Sequence, residues 1–261
     1  MRAPHKHNQR ITAVIAAAGA VALITGSIVV GLAGEDAAAE PDSAKNQQIA
    51  APAPLQVGSA LTRAAADGGK VVNLTLDDGP DPRWTPKALE LLKAHKAKAT
   101  FCLTGPNAKR HPDLVKEIVS AGHRLCDHAV SHDTAMDKKD VAYQEKQIMD
   151  AKRMIDEASG SARVWHYRAP GGAFTPESRE IAARGGMANL GWNVDPGDFN
   201  RPGADKIVSA VQEQLKTKGP TILMHDGGGD RSQSVEALEK LLPWLKEQGY
   251  GFRFPKVPEA G

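Results

Sequence analysis

Cysteine is scarce in this chain of 261 residues, which contains two, Cys102 and Cys126. A disulfide-framework mini-protein is therefore excluded, and neither cysteine stands near the N-terminus, where a lipid-modified cysteine would lie. Aromatic residues make up 5% of the chain, so a long stripe of exposed aromatic rings is not expected. The chain also has little excess charge, with 33 basic and 31 acidic residues. This balance argues against binding nucleic acid, whose affinity depends on neutralising many phosphates.

The first 34 residues have the pattern of an export signal. Ile11–Gly34 is a run of 24 uncharged residues, and three basic residues precede it. As a helix it would reach roughly 36 Å, enough to cross a hydrocarbon core of about 30 Å. Ala37–Ala39 offers a cleavage site of small residues, so 1–34 is either a removed signal peptide or a signal anchor. We expect the protein to be exported, either secreted or held at the outer face of the cytoplasmic membrane, with membrane contact only through this segment.

The stretch 35–69 is rich in Ala, Pro, Gln, Ser and Asp and is predicted to be a flexible linker. From 70 to 257 short apolar runs alternate with helical patterns, with Thr85 as the predicted N-cap of one helix and Asp140 as the predicted start of another. Seven runs fit strands: Val71–Leu76, Ala97–Leu103, His123–Asp127, Arg163–Arg168, Met187–Trp192, Pro220–Met224 and Tyr250–Phe254. This alternation predicts one α/β domain with parallel strands, either a barrel or an open sheet, and we expect a monomer.

Clusters of polar residues follow five of the predicted strands. They are Asp77-Asp78, His128 to His132, Arg168 to Gly172, Asp195 to Phe199, and His225-Asp226. The carboxyl ends of parallel strands share one edge, and sites of α/β proteins are built there. We therefore expect these clusters to form a single site.

His128 and His132 are four residues apart, so one helical turn would direct both imidazoles to the same side. Two histidines and a carboxylate leave open positions on a metal ion, as a catalytic site requires. Taken alone, the pair is also compatible with two surface histidines. Cys102 and Cys126 are alternative soft ligands, although thiolates would suit a closed structural zinc site better.

The adjacent carboxylates Asp77 and Asp78 can divide two tasks, although Asp-Asp-Gly-Pro is also a good turn sequence. One can bind a metal ion while the other acts as a base towards a metal-activated water. Arg168 could orient that base or form a structural salt bridge. His225 could donate a proton to a leaving group with Asp198 behind it, and a turn is the alternative role for that aspartate.

Five ordered motifs carry a resemblance to a known family. They are Thr75-Leu76-Asp77-Asp78-Gly79-Pro80, His128-x-x-Ser131-His132, Arg168-Ala169-Pro170-Gly171-Gly172, Asp198-Phe199 and Leu223-Met224-His225-Asp226. Together they resemble polysaccharide deacetylases of the NodB-homology type (carbohydrate esterase family 4), over about 70–255. The resemblance implies a distorted (β/α) barrel with one divalent metal ion, usually Zn²⁺, with Co²⁺ as an alternative. It also implies hydrolytic removal of acetyl groups from N-acetylated sugars of a polysaccharide by metal-bound water.

The resemblance further assigns roles to individual residues. Asp78, His128 and His132 match the metal ligands, and Asp77 matches the general base that Arg168 positions.

On the other side of the reacting group, His225 matches the general acid and Asp198 its partner. The backbone N–H of Gly171 would stabilise the oxyanion, and Leu223 and Phe199 would wall the acetyl methyl group.

Three positions depart from the family pattern. Leu76 stands where Phe is usual, Gly171 where Tyr is usual, and Phe199 where Trp is usual. The last two affect the wall of the acetyl pocket, so the sequence does not define the substrate. The acidic and histidine residues are intact, which argues against a non-catalytic member.

Several functions compete at this stage. Deacetylation of peptidoglycan or chitin-type oligomers is the main hypothesis, and O-deacetylation of acetylated xylan on the same site is the alternative. A glycosidase is a distant alternative, because adjacent carboxylates fit poorly with the ~5 Å or more that an acid–nucleophile pair requires. A non-catalytic carbohydrate binder lacks support because aromatic residues are few.

Cys102 and Cys126 each lie near the end of a predicted strand. If those strands are neighbours, the two sulfurs could form a disulfide, which an exported domain would permit. Two reduced thiols are the alternative.

Overall fold

The computed structural model describes residues 56–260. The strands are β1 (Leu61–Thr62), β2 (Val71–Asp77), β3 (Ala99–Leu103), β4 (Arg124–Asp127), β5 (Val164–Tyr167), β6 (Ala188–Leu190), β7 (Thr221–His225) and β8 (Gly251–Phe252). The α-helices are α1 (Thr85–Ala94), α2 (Gly105–Arg110), α3 (Pro112–Ser120), α4 (Val141–Ser159), α5 (Pro176–Arg184), α6 (Ala204–Leu215) and α7 (Ser232–Glu247). Strands and helices alternate through most of the chain, as the sequence predicts.

The strands form a parallel sheet in the order β1-β6-β5-β4-β3-β2-β7, and β8 pairs with the start of β2. The segment after β6 returns to the far edge, where Val194 forms a parallel bridge with Ile222 of β7. This bridge closes the sheet into a distorted barrel, so the predicted fold class is confirmed. The apolar faces of the helices pack against the sheet around buried side chains such as Phe101, Leu125 and Ile148.

The helix boundaries follow local signals. Asp140 caps α4 by accepting a hydrogen bond from the Tyr143 amide at 2.7 Å, and Gly160 ends that helix with φ 70°. Thr85 was expected to cap α1, but Trp84 occupies the N-cap position. The Thr85 hydroxyl instead accepts from the Asp81 amide at 2.8 Å and donates at 2.6 Å to the carboxylate of Asp226, the residue that follows β7.

The domain begins earlier than the sequence predicts. Residues 56–69 were assigned to the linker, yet β1 pairs with β6 through Leu61 and Thr62. Val57 is buried and bridges to Glu259 near the end of the described chain. A two-residue strand is too short to give a periodic signal, which explains the error. The predicted segment 1–34, most of the predicted linker and the proposed cleavage site lie outside the described residues. Among helices within 56–260, none combines the length and hydropathy that a membrane span requires.

The two cysteines lie opposite each other on neighbouring strands, Cys102 on β3 and Cys126 on β4. The structure joins them in a disulfide, and both residues are fully buried. The predicted disulfide is thus confirmed, and the alternatives of two reduced thiols or two soft metal ligands do not apply.

Candidate active site

The predicted polar clusters meet at the carboxyl edge of the barrel. β2 ends at Asp77 and β7 ends at His225, and these two residues are direct partners in the strand register. Asp127 ends β4, immediately before His128, and Arg168 follows the end of β5. A cavity of about 690 Å³ opens over this edge, and all ten residues predicted for the site except Asp198 line it. Parallel topology therefore brings together residues that are up to about 150 positions apart in the chain.

Asp78, His128 and His132 converge on one point. Their candidate ligand atoms all lie within 4.8 Å of one another. Asp78 Oδ1 lies 3.5 Å from Nε2 of His128 and 3.1 Å from Nε2 of His132. The imidazole rings approach edge to face, with centroids 5.0 Å apart. Two imidazole nitrogens and a carboxylate oxygen fit a divalent ion with remaining open positions.

The convergence has a different local cause from the predicted one. Residues 128–132 are a loop, not a helical turn. Ala129 and His132 adopt left-handed φ values of 63° and 52°, and these bends direct the two rings together. Asp78 also has a positive φ, 71°, in the turn that follows β2. Strained backbone of this kind is common where a loop must present ligands at a fixed point.

Hydrogen bonds orient His128 for ligation. Its Nδ1 lies 2.8 Å from the backbone carbonyl of Arg168, which can only accept, so Nδ1 carries the proton. Nε2 then presents its lone pair towards Asp78. Burial lowers the pKa of His128 despite the charges of Asp77 and Asp78, and it thereby favours the neutral, ligating form.

The pKa of Asp78 is held below its ordinary value. Burial by itself would raise that pKa, but the hydrogen bond with His132 and the charges of the nearby histidines outweigh it. The pKa of His132 is raised, chiefly by the same hydrogen bond. The cluster therefore favours an ionised carboxylate, as a metal ligand requires.

Arg168 is fully buried and connects the base candidate to the barrel wall. Its Nη1 donates to Asp77 Oδ1 at 2.6 Å and to Thr75 Oγ1 at 2.8 Å. Its Nε and Nη2 donate to the backbone carbonyls of Leu190 and Gly191, both at 3.2 Å. Asp77 Oδ2 lies 3.7 Å from His128 Nε2, on the side of the candidate metal-ligand cluster of Asp78, His128 and His132. The guanidinium thus fixes one carboxylate oxygen and leaves the other towards the cavity.

His225, at the end of β7, is paired with Asp198 from the segment between β6 and α6. His225 Nδ1 lies 2.8 Å from Asp198 Oδ1, and its amide donates to Oδ2 at 2.9 Å. The hydroxyl of Ser234 also donates to Oδ2, at 2.6 Å. Burial lowers the pKa of His225, but the hydrogen bond to Asp198 and its charge outweigh burial, so the net pKa is raised. A protonated imidazole at this position is suited to donating a proton.

The cavity wall contains one more aromatic side chain than the sequence predicts. Leu223 and Phe199 line it as predicted, and the Phe199 ring stands edge-on to His225 at 5.6 Å. Trp192, which the sequence analysis assigned to a strand, also lines the cavity. Gly171 has a φ of 60°, and a Cβ added there would lie 3.1 Å from the Thr134 Cβ. The backbone would therefore have to move to accommodate a tyrosine at this position.

Sequence reasoning also missed a support of the candidate metal-ligand cluster. The Asn107 side chain donates to the backbone carbonyl of Asp78 at 2.7 Å. Asn107 lies on α2, a helix of six residues that begins Gly-Pro and gives no periodic signal.

Asp226 is buried beside Gly79, where an added Cβ would lie 2.6 Å from the Asp226 carboxylate. Burial raises the pKa of Asp226 to about 7. Asp226 and Gly79 both belong to motifs identified in the sequence, but the sequence did not predict that they are in contact.

Comparison with known proteins identifies the family. The family model for polysaccharide deacetylase matches residues 64–190. The peptidoglycan-N-acetylglucosamine deacetylase of Bacillus cereus is 39% identical over 194 residues, covering 74% of this chain and 89% of the relative. The chitooligosaccharide deacetylase of Sinorhizobium fredii is 38% identical over 198 residues, covering 71% and 90%. The chain belongs to the polysaccharide deacetylase family, and the class predicted from the five motifs is confirmed.

A solved structure agrees. The peptidoglycan N-acetylglucosamine deacetylase Bc1960, in complex with 4-naphthalen-1-yl-N-oxidanyl-benzamide, superposes with a TM-score of 0.67 at 34% identity. The match covers 75% of this chain and 89% of that chain. The protein is accordingly a hydrolase of the polysaccharide deacetylase class, built on the barrel described above.

Proposed function

We propose that this protein removes acetyl groups from N-acetylated amino sugars of a cell-wall or chitin-type glycan. The observation that carries the proposal is the convergence of Asp78, His128 and His132 beside Asp77, with the His225–Asp198 pair at the same cavity. Two relatives that act on such glycans by name support the substrate class.

A divalent ion, by preference Zn²⁺, fits the three ligand atoms of the cluster. The fit rests on Asp78 Oδ1, a buried oxygen that lies 3.5 Å from a His128 Nε2 that presents a lone pair and carries no proton, so the two atoms need a cation between them. When bound, such an ion acidifies water and polarises a carbonyl, which makes an amide open to hydrolysis near neutral pH. Asp78, His128 and His132 would hold it, and the Nδ1 of His128 is fixed by the Arg168 carbonyl.

The chain's own residues supply the proton transfers. Asp77, oriented by Arg168, takes a proton from the attacking water at its free oxygen Oδ2. His225, protonated and oriented by Asp198, gives a proton to the sugar nitrogen as the carbon–nitrogen bond breaks. The immediate products are acetic acid and a free amine, and the enzyme is left with a proton on Asp77 in place of the one that His225 gave up.

Two further groups shape the reaction. Among the described residues the amide of Gly171 has no hydrogen-bond acceptor, so it is available to the oxyanion that forms on the acetyl oxygen. Leu223 and Trp192 exclude water around the acetyl methyl, and the half-exposed Phe199 borders the sugar.

The enzyme is proposed to act outside the cytoplasm. The support is the uncharged run Ile11–Gly34 with basic residues before it, and a buried disulfide that suits an oxidising compartment. N-terminal sequencing of the mature protein, together with cell fractionation, distinguishes a cleaved leader from an anchor. Recovery of the intact chain in the cytoplasm contradicts export.

The activity is tested by measuring acetate and new reducing ends on two substrates. Acetate release from N-acetylglucosamine oligomers without new reducing ends is the expected result. Acetate from acetylated xylan alone would replace the proposal with O-deacetylation, and new reducing ends would indicate a glycosidase. An Asp77→Asn variant of the same chain is the matched control for contaminating esterases.

A further inference from the structure

Each of the two adjacent carboxylates at the end of β2 has its own buried arginine. Arg168 donates to Asp77 at 2.6 Å. Arg231 lies beside Asp78, with its Nη2 3.9 Å from Asp78 Oδ2, and the Arg231 side chain is 7% exposed. Arg231 lines the cavity but falls outside the five sequence motifs, and no step of the proposed reaction uses it.

Hydrogen bonds fix the guanidinium of Arg231 in place. Its Nε donates to the Gly227 carbonyl and its Nη2 to the Gly228 carbonyl at 3.1 Å, both in the loop that follows β7. Its Nη1 donates to the Phe199 carbonyl at 3.4 Å, in the segment between β6 and α6. All three acceptors are neutral, so these bonds hold the guanidinium without neutralising its charge.

The charge of Arg231 requires an anion at this position. Arg231 directly precedes α7, and its carbonyl accepts from the Val235 amide at 2.9 Å at the start of that helix. The N-terminal end of a helix disfavours a cation, and burial adds a desolvation cost. Within residues 56–260 the carboxylate of Asp78 is the only one within 4.0 Å of the guanidinium. The candidate metal ligand is therefore also the counter-ion of Arg231.

The two carboxylate oxygens of Asp78 have different neighbours. Oδ1 lies 3.5 Å from His128 Nε2 and 3.1 Å from His132 Nε2. Oδ2 lies beside Arg231 and Gly228, where an added Cβ would lie 2.5 Å from Oδ2 and 3.2 Å from Arg231 Nη2. Gly228 has a φ of 73°, and its lack of a side chain permits this close packing. The carboxylate thus presents Oδ1 to the histidines, while Oδ2 lies next to the arginine.

We propose that Arg231 is a positioning residue for the metal site: its charge holds Asp78 Oδ2 back from the ion, so that Asp78 binds through Oδ1 alone. A second ligating oxygen would occupy one of the open positions that a catalytic ion requires. The guanidinium also repels a cation bound nearby, so Arg231 keeps the site open at a cost in affinity. This inference rests on the proposed function only through the metal site of Asp78, His128 and His132.

The test measures the Zn²⁺ affinity of the full chain by competition with a chromogenic chelator. Arg231→Gln removes the charge and should tighten Zn²⁺ binding about tenfold, because the repulsion is lost and Oδ2 of Asp78 becomes free to bind. A merely structural role predicts the opposite sign, since a disordered loop would weaken the site. Arg231→Lys keeps the charge and should bind Zn²⁺ as the unmodified chain does.

The visible spectrum of the Co²⁺-loaded protein reports the coordination directly. Co²⁺ absorbs more weakly as its coordination number rises, so Arg231→Gln should reduce the intensity of the visible bands. Arg231→Lys should leave the bands unchanged. On N-acetylglucosamine oligomers, kcat of the Zn²⁺-loaded Arg231→Gln variant should fall more than KM rises, because an open position on the ion is filled.

Arg83→Gln is the matched control. Arg83 donates to the Gly229 carbonyl of the same loop at 3.4 Å, but its side chain is 62% exposed and pairs with Asp81. This variant should leave Zn²⁺ affinity and the Co²⁺ spectrum unchanged. Urea unfolding of each metal-free variant checks the fold, and Arg231→Met is the second charge-removing variant, with the same expected results as Arg231→Gln.

Weaker or unchanged Zn²⁺ binding in the folded charge-removing variants, or an unchanged Co²⁺ spectrum, overturns the inference. Failure of both variants to fold also overturns it, because Arg231 would then serve the fold. Tighter binding in Arg231→Lys as well would show that the charge is not the cause. If the unmodified chain binds Zn²⁺ but releases no acetate, the proposed function fails while the role of Arg231 is still decided by these measurements. Absence of Zn²⁺ binding to the unmodified chain overturns both.

Discussion

Arg168 donates a hydrogen bond to Asp77 across 2.6 Å, and both side chains are almost completely buried. Three further guanidinium donors are engaged by Thr75 and two backbone carbonyls, and these bonds hold the arginine side chain in place. Its own carbonyl accepts from His128 Nδ1. Arg168 thus orients both the proposed base and a proposed metal ligand, and it fixes the position of Asp77 relative to His128.

Asp77 and His128 should fail in different ways when they are substituted. Asp77→Asn keeps the shape of the side chain but removes the base, so acetate release should fall at least ~100-fold while bound metal stays near its normal amount. His128→Ala removes a ligand and should lose the metal. Acetate assays and metal analysis after dialysis check both. Equal metal loss in the two variants would mean that base and ligand are wrongly assigned.

The charge of Asp198 should set the alkaline limit of activity. His225 must be protonated to act as an acid, so the rate falls as pH rises through its pKa. Asp198 raises that pKa, and Asp198→Asn should therefore move the alkaline limb of the kcat profile to lower pH. Ser234→Ala is the control, because it removes one hydrogen bond to Asp198 and keeps the charge. An unchanged limb in Asp198→Asn contradicts the role of His225.

The disulfide between Cys102 and Cys126 should stabilise the domain. It closes a loop with a sequence separation of 24 residues, and the chain-entropy model gives about 3 kcal/mol for a loop of this size. Reduction should therefore lower the free energy of unfolding by about that amount, measured with urea in the presence and absence of dithiothreitol. Two free thiols in the denatured, unreduced protein would show that the bond does not form.

Acid should destabilise the fold through buried histidines. Burial and the charge of Lys98 lower the pKa of His123 to about 4, and its Nδ1 accepts from the Ala99 amide, so the folded state holds it neutral. The unfolded state binds the proton first, so stability is lost as pH falls from about 6.5 towards 4. This site should cost about 2 kcal/mol between pH 7 and pH 5.

The variant His123→Gln isolates that contribution. Glutamine can still accept from the Ala99 amide but does not titrate. Urea unfolding at pH 7 and pH 5 should show a smaller loss in the variant by about 2 kcal/mol. The remaining loss includes His166, which is buried and has its pKa lowered to about 3. An equal loss in both proteins would contradict a neutral His123 in the fold.

Much of the site follows from the sequence because its acidic and histidine residues follow strands. Parallel strands impose a common edge, so Asp77 and His225 could be placed together without knowing a single contact. The alternation of apolar runs also predicts the barrel's main strands to within a few residues. These features depend on the spacing of apolar residues and on the order of strands and helices, and both can be read from the sequence.

Other features depend on contacts that the sequence does not carry. The loop from His128 to His132 converges through left-handed backbone at Ala129, and nothing in the residue types favours that over a helical turn. Helix α2 and Trp192 escaped detection because a six-residue helix has too few turns for a period and a strand-end tryptophan is equally suited to a core. The start of the domain was missed because β1 is defined by its partner β6, not by its own pattern.

The most direct test of the account is acetate release from N-acetylglucosamine oligomers by the purified chain before chelation, after chelation and after stoichiometric Zn²⁺ is restored. The cluster of Asp78, His128 and His132 predicts that chelation abolishes acetate release and that one equivalent of ion restores it. Full acetate release from protein that analysis shows to be free of metal would contradict the account.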